Sequence, residues 1–421
     1  MIKKYLTLPL LLATLFAASQ RTPASSYKKQ RISETDIQAL FSLYTQDGDH
    51  SAITGGVGTE QLTVFVNELT IKHKRDSVNT FELDAGVDVI TSASKDNIDF
   101  NMSSASRVDA RIYANPSYTR TFKKDLKITM GTGFSIESDY FSIPVSLSVS
   151  KSNPARSTEI SATMKCFFDD LRWGRLDIDI QKPIKLIYPA ELRYKEWFSI
   201  HKRNSFNLQF AYSQPINARL QFAVYPEIVY QHGLLSTPYH RVYFKYAADE
   251  KVENLPLTRW KFPIATELNA FVSDRVILKT YYRYYIDDFG IQAHTLQLEA
   301  PVELNNQLTL SPLIRLYQQK ASKYFKEFEE HTLDEKYYTS DHDLSTFNSY
   351  KLALGFRYSP ANKIARHLFF QELDLHYSYY HRSDQLYSHI ISLLLELKRI
   401  SSKRQNLRKS SFLPARPFLA Q

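Results

Sequence analysis

Apolar and polar residues alternate one for one over most of this chain. The clearest stretch is Phe81-Glu-Leu-Asp-Ala-Gly-Val-Asp-Val89. There Phe81, Leu83, Ala85, Val87 and Val89 fall on one face, and Glu82, Asp84, Gly86 and Asp88 on the other. A period of two is that of a strand with one apolar and one wet face. The same pattern predicts strands at 38–46, 61–73, 80–91, 107–121, 126–137, 140–150, 157–168, 204–213, 218–230, 258–272, 276–287, 291–303, 307–318, 348–358, 368–380 and 386–399. That is 16 strands, and 14 if the weakest, around Leu40-Phe-Ser-Leu-Tyr44, is lost with one more for parity. The fold class is all-β: a transmembrane antiparallel β-barrel over residues 38–399.

The connections divide by length, as they do in such barrels. Counting back from the C-terminus, one end carries tight turns: Arg75-Asp-Ser77, Phe122-Lys-Lys-Asp125, Lys151-Ser-Asn-Pro154, Gln214-Pro-Ile-Asn217, Ser273-Asp-Arg275, Asn305-Asn306 and Pro360-Ala-Asn-Lys363. The other end carries the long loops 92–106, 169–203, 231–257 and 319–347 with short ones at 138–139, 288–290 and 381–385. This division requires Arg241-Val-Tyr-Phe-Lys-Tyr246 to stay in an outer loop. Pro116, Pro144, Pro226 and Pro312 fall within strands, where each removes a ladder donor and marks a local defect.

The start of the chain adds location. Lys3 and Lys4 precede an apolar stretch, and Ala17 and Ser19 sit at a signal-peptidase site, so residues 1–19 read as an export signal. No Cys lies near that site, which excludes a lipoprotein. Residues 20–37 read as a disordered segment and 400–421 as a basic tail, solvated or touching anionic lipid, and not as a nucleic-acid site. No stretch is apolar for long enough to form a spanning helix. The mean hydropathy of −0.36 suits a barrel whose strands are half wet, and 28 Tyr with 26 Phe suit aromatic girdles at two membrane interfaces. The single Cys166 excludes an internal disulfide and should face lipid. The implied surroundings are the cell outer membrane, its lipid and the barrel insertion machinery, with no nucleic acid.

Tyr44-Thr-Gln-Asp-Gly-Asp-His50, continuing to Gly55-Gly-Val-Gly-Thr-Glu60, is not generic barrel sequence. It resembles the N-terminal motif of an uncharacterised family of predicted bacterial outer-membrane barrels, a domain of unknown function. Asp88–Ser94, Arg107–Arg111, Gly233–Tyr239 with Arg241–Phe244, and Tyr282–Ile291 with His294 agree with it. The resemblance covers roughly residues 40–398 and implies the fold and the location but no reaction.

Three groups of residues could carry chemistry. Asp47, Asp49 and Glu60, near His50 and several glycines, could hold a hard cation such as Ca²⁺, though the spacing is not that of an EF-hand. The plainer reading is a polar loop that folds into the mouth and reaches Arg107 and Arg111. Asp84, Asp88, Arg107, Asp109, Arg111, Lys279, Arg283 and Asp287 lead a set of inward charges that also includes Glu82, Arg259, Lys261, Glu267, Arg357, Glu372 and Asp374. Such a set is either a structural network or a constriction that selects solutes, and its mixed signs favour neither cations nor anions. A Ser-His-acid hydrolase would draw on His294, His376 or His389, but no Ser is placed distinctively beside them. The functional expectation is a porin-like channel for small solutes, with no catalytic residues and no cofactor. The alternatives are a surface-interaction barrel with a closed lumen and an outer-membrane enzyme.

Overall fold

The computed structural model describes residues 32–92, 109–137, 140–171, 201–237, 240–360, 362–365 and 367–402. All 16 expected strands are present. They are β1 (Ile32–Asp47), β2 (Leu62–Lys74), β3 (Asn79–Ser92), β4 (Asp109–Thr121), β5 (Leu126–Thr132 and Phe134–Ile136), β6 (Phe141–Asn153), β7 (Thr158–Asp170) and β8 (Lys202–Asn217). They continue with β9 (Leu220–Gly233), β10 (Thr258–Lys261 and Ile264–Ser273), β11 (Val276–Ile286), β12 (Gln292–Glu299 and Val302–Asn305), β13 (Leu308–Lys320), β14 (Phe347–Tyr358), β15 (Leu368–Arg382) and β16 (Tyr387–Ser402). Each pairs antiparallel with its neighbour in sequence, so the sheet is an up-and-down meander.

β1 also pairs with β16, which closes the sheet on itself. Along the seam, Ser42 Oγ donates to the Ile391 carbonyl at 3.2 Å and meets Ser392 Oγ at 2.8 Å. Lys398 reaches Glu34 and Asp36. A closed barrel leaves no unpaired edge, the condition for crossing lipid with strands. Ser33–Ser401 forms one compact unit; the other comprises Met1–Ile32 and Ser402–Gln421, of which only Ile32 and Ser402 are described.

The first strand begins earlier than expected. Residues 32–37, read from sequence as part of a disordered segment, are paired with β2 from Glu34 onward. Their polarity has a cause, because Glu34 and Asp36 point inward and meet Lys74 as well as Lys398. At the other end β16 runs to Ser402, past the expected boundary at 399. The turn expected at Gln214–Asn217 is strand, and the chain turns at residues 218–219 instead. The expected signal peptide, residues 93–108, most of the expected loop 169–203 and the expected tail from 403 lie outside the described residues.

Each of the four prolines lies opposite a break in a neighbouring strand, and the register is the same on both sides of each break. Pro116 and Pro144 flank the break at Gly133 in β5, whose N–H donates to the Pro144 carbonyl at 3.2 Å. Pro226 faces the break at Phe262-Pro263 in β10, and Pro312 the break at Ala300-Pro301 in β12. A missing donor on one strand thus coincides with a gap in the ladder of the next, with no residue inserted.

The two faces sort as the alternation predicts. Phe81, Leu83 and Val87 stand 39–44% exposed on the outside, and Val145, Leu147, Met164, Phe168, Leu352 and Leu354 stand 43–49% exposed elsewhere round the wall. Cys166 shares the outer face with Met164 and Phe168. Aromatic contacts lie on that face near both ends: Tyr230–Trp260 (4.5 Å) and Trp260–Phe262 (6.3 Å) toward the long loops, and Phe81–Tyr118 (5.0 Å) toward the tight turns. An apolar wall between aromatic girdles is the surface of an outer-membrane-type barrel.

Candidate functional site

Charges of both signs line the inside, held by pairs across strands. Asp88 accepts from Arg111 at 3.4 Å, and Arg111 also reaches Glu137 at 3.6 Å. Lys72 pairs with Glu82 (3.0 Å), Lys279 with Glu299 (3.1 Å), Arg203 with Asp169 (2.9 Å) and Arg357 with Asp374 (3.3 Å). Asp84 accepts from Thr70 Oγ1 at 3.3 Å. Asp287, with its side chain fully buried, holds Arg259, the Tyr285 hydroxyl and the Ile291 N–H. Arg283 lies 5.8 Å from the Tyr285 ring. Arg107 and the side chain of Asp109 fall outside the described residues.

The inside is wet nonetheless. The side chains of Arg111, Lys279 and Arg357 remain 41–47% exposed within the wall. A cavity of about 420 Å³ lies against Lys279, Arg283, Glu267, Glu299 and Arg315. A larger groove of about 600 Å³ is lined by Tyr282, His294, Leu316, Tyr350 and His381, mostly outward-facing, and is not the lumen.

At the long-loop end three segments pack into one lid. The strand-like piece Arg241–Val242 pairs with Lys251–Val252 inside its loop and does not span, as its place in the sequence predicts. Asn254 and Tyr338 exchange backbone bonds of 3.1 and 2.8 Å, which joins this loop to 321–346. The Asp-Gly-Asp-His segment is the third member: His50 stacks on His342 with ring centroids 3.9 Å apart. Gly55 and Gly56 have φ of +82° and +89°. A Cβ at Gly55 would sit 2.5 Å from the Tyr243 ring, and one at Gly56 2.7 Å from the Ser340 carbonyl. The glycines therefore serve close loop packing as well as positive φ. The lid has its own buried centre in Val242, Phe244, His331, Thr339 and Ser340, each 2% exposed or less.

This placement corrects one expectation. The segment 47–60 meets Tyr243, Ser340 and His342, while Arg111 is engaged by Asp88, Ser135 and Glu137. Nor do the possible calcium ligands form the cluster found by geometry. Asp47 accepts from the Tyr387 hydroxyl at 3.1 Å, Asp49 is exposed, and Glu60 lies on the lumen side beside Gly48. Among the described residues, the one group of three potential ligands within 4.8 Å of one another is His240, Glu253 and Asp341. The sequence reading missed it because its members are far apart in two aperiodic loops. The histidines considered for hydrolysis also separate: His294 and His389 bond Tyr282 and Tyr377 on the outer face, while His376 meets Asp374 inside at 2.9 Å.

Lumen-facing side chains seat the lid. Gln319 Nε2 donates to the carbonyls of Asp343 (2.9 Å) and Ser345 (2.8 Å), and Arg382 Nη2 donates to that of His342 (2.8 Å). Glu60 lies near the seat, and burial, with Asp343 next in effect, pushes its carboxyl up to about 7, against the influence of Arg382 and His50; Asp384 adds to the rise. Burial also pushes His342 down to about 4. The signs are opposite. A raised carboxyl favours the seated lid below its ordinary value of 4.5 and loses that contribution as pH rises through about 7. A depressed imidazole contributes above 6.5 and loses its contribution as pH falls through about 4. Glu60→Gln removes the first effect alone. Tryptic cleavage at Lys323 and Lys336, both exposed on the lid, should differ little between variant and wild type at pH 5. The wild type should be cut progressively faster than the variant toward pH 8, and parallel rates across that range would exclude the role.

A family model described as "Protein of unknown function (DUF3570)" matches residues 7–389. The chain belongs to this family. The resemblance drawn from the N-terminal residues is thus borne out at the level of a family without assigned function. No curated protein matches the chain. Similar solved structures include a BenF-like porin from Pseudomonas fluorescens Pf-5 (9% identity, TM-score 0.42, 88% of this chain and 99% of that one). They also include OpdK of Pseudomonas aeruginosa with vanillate (7%, 0.41, 88% and 99%) and the outer membrane protein OprD of the same species (10%, 0.39, 88% and 94%). The barrel assignment itself rests on the strand ladder and its closed seam.

Proposed function

We propose that this DUF3570 protein is an outer-membrane pore for small polar solutes, its mouth covered by the three-loop lid. The observation that carries the reading is a closed barrel of 16 strands whose inner charged side chains stand up to 47% exposed. Barrels of that strand number enclose an aqueous channel, whereas about eight strands are filled by their own side chains. The apolar outer wall and its girdles support residence in a bilayer, and the pairing of inner charges supports a lumen of mixed polarity with weak preference for either ion sign. Asp84, Asp88, Arg111, Lys279 and Arg283 line the route on this reading, and the buried Asp287 holds Arg259 beside it, with no catalytic step and no cofactor.

The lid's buried centre favours a second reading, a barrel whose ordered outer loops bind a partner while the lumen stays shut. Single-channel recording in planar bilayers separates the two. Stepwise currents from the refolded chain are the expected result. A folded, inserted and electrically silent barrel would instead favour the interaction role.

A further inference from the structure

The lid contains a ligand set that conduction does not need. His240 Nδ1 lies 3.8 Å from Glu253 Oε1 and 3.8 Å from Asp341 Oδ2. The Glu253 side chain is 2% exposed, His240 17% and Asp341 23%. The loop scaffold holds these groups from several sides. The Glu253 N–H donates to the His240 carbonyl at 3.1 Å, and the next residue, Asn254, forms the backbone pair with Tyr338. The Asp341 N–H donates to Thr339 Oγ1 at 3.0 Å.

The carboxylates are also oriented by their neighbours. Glu253 Oε2 accepts from the Thr237 N–H at 2.7 Å, and its Oε1 from the Thr339 hydroxyl. Asp341 Oδ1 accepts from the Asp343 N–H at 2.9 Å, which leaves Oδ2 turned toward His240. Outer hydrogen bonds of this kind fix ligand geometry in metal sites. One imidazole nitrogen and two carboxylate oxygens suit a divalent transition ion. Bond lengths of about 2.0–2.2 Å bring tetrahedral neighbours to roughly 3.3 Å apart, so the two imidazole–carboxylate distances of 3.8 Å need only shorten slightly, and all the ligand atoms already lie within 4.8 Å of one another. An ion there would offset two carboxylates that a single imidazole cannot neutralise in a largely buried place.

We propose that His240, Glu253 and Asp341 form a three-ligand site for a divalent transition ion of the zinc type, which ties the 234–257 loop to the 321–346 loop. A fourth position would be left to water, so the ion cross-links the lid. The proposal goes beyond conduction and does not depend on it.

The test uses the full mature chain refolded in detergent micelles, with Zn²⁺ alone titrated against a chromophoric chelator. One ion per chain is expected, at micromolar affinity or tighter. His240→Gln and Asp341→Asn should each weaken binding by about 100-fold, and Thr339→Val, which removes the hydroxyl that donates to Glu253 and accepts from the Asp341 N–H, by about tenfold. His294→Ala, on the outer face, should leave affinity unchanged, and heat-dependent gel mobility verifies that each variant is a folded barrel. Wild type loaded with Co²⁺ supplies a reading independent of any variant, with visible bands of a four- or five-coordinate ion expected. Absence of stoichiometric binding, a six-coordinate Co²⁺ spectrum, or affinity unchanged in His240→Gln and Asp341→Asn would each overturn the site.

Discussion

Arg382→Ala is expected to release the lid from the barrel wall. Arg382, 5% exposed, donates to both carboxylate oxygens of Asp384 at 3.0 and 2.6 Å, to Asp343 at 2.5 Å and to the His342 carbonyl at 2.8 Å. Its guanidinium also sits 4.0 Å from the Phe347 ring centroid. Asp343 is 76% exposed, so its share is small. Asp384 is 12% exposed, and removing its partner leaves a nearly buried charge uncompensated. Breaking such a pair costs about 3 kcal/mol or more, roughly two orders of magnitude in the opening equilibrium. Tryptic cleavage at Lys323 and Lys336 should accelerate accordingly while the barrel stays folded, and on the pore reading unit conductance should rise. A cleavage rate equal to wild type would show that the lid is held elsewhere.

A comparable loss is expected on the opposite face of the wall. Leu83 and Val87 point outward from the middle of β3 and pair with Pro116 and Ile112 of β4. Leu83→Arg or Val87→Arg should each destabilise the inserted barrel by roughly 2–4 kcal/mol, because a guanidinium would stand in hydrocarbon near the midplane. Asp84→Arg, one residue away, replaces a lumenal side chain that accepts from Thr70 and should fold nearly as wild type does. Urea titration of tryptophan fluorescence in lipid vesicles measures all three. Equal losses at 83, 84 and 87 would mean that the two faces of the wall are misassigned.

The strands were legible because lipid on one side and water on the other impose a period of two that no loop imitates. Even the four proline defects could be seen, although their matching breaks in β5, β10 and β12 could not, since registry between strands is not written in either strand alone. The first turn of β1 was hidden by its own function: Glu34 and Asp36 look like disordered polar residues until Lys74 and Lys398 stand opposite them. The lid was illegible for a different reason. His50 and His342, or His240 and Asp341, meet only after the intervening strands have placed their loops at one end. The glycines of 55–58 did signal a backbone under constraint, but not which loops impose it.

The seam between β1 and β16 has a kinetic consequence. Ser42 meets Ser392 across 350 residues of chain, so every hairpin can form locally except the one contact that completes the cylinder. Contacts so distant in sequence are slow to form. Until they do, two strands present bare edges on which a second chain could add. The nascent sheet must therefore be guarded at its first and last strands, and the Lys398–Glu34–Asp36 cluster is a latch that can engage only once, at the end.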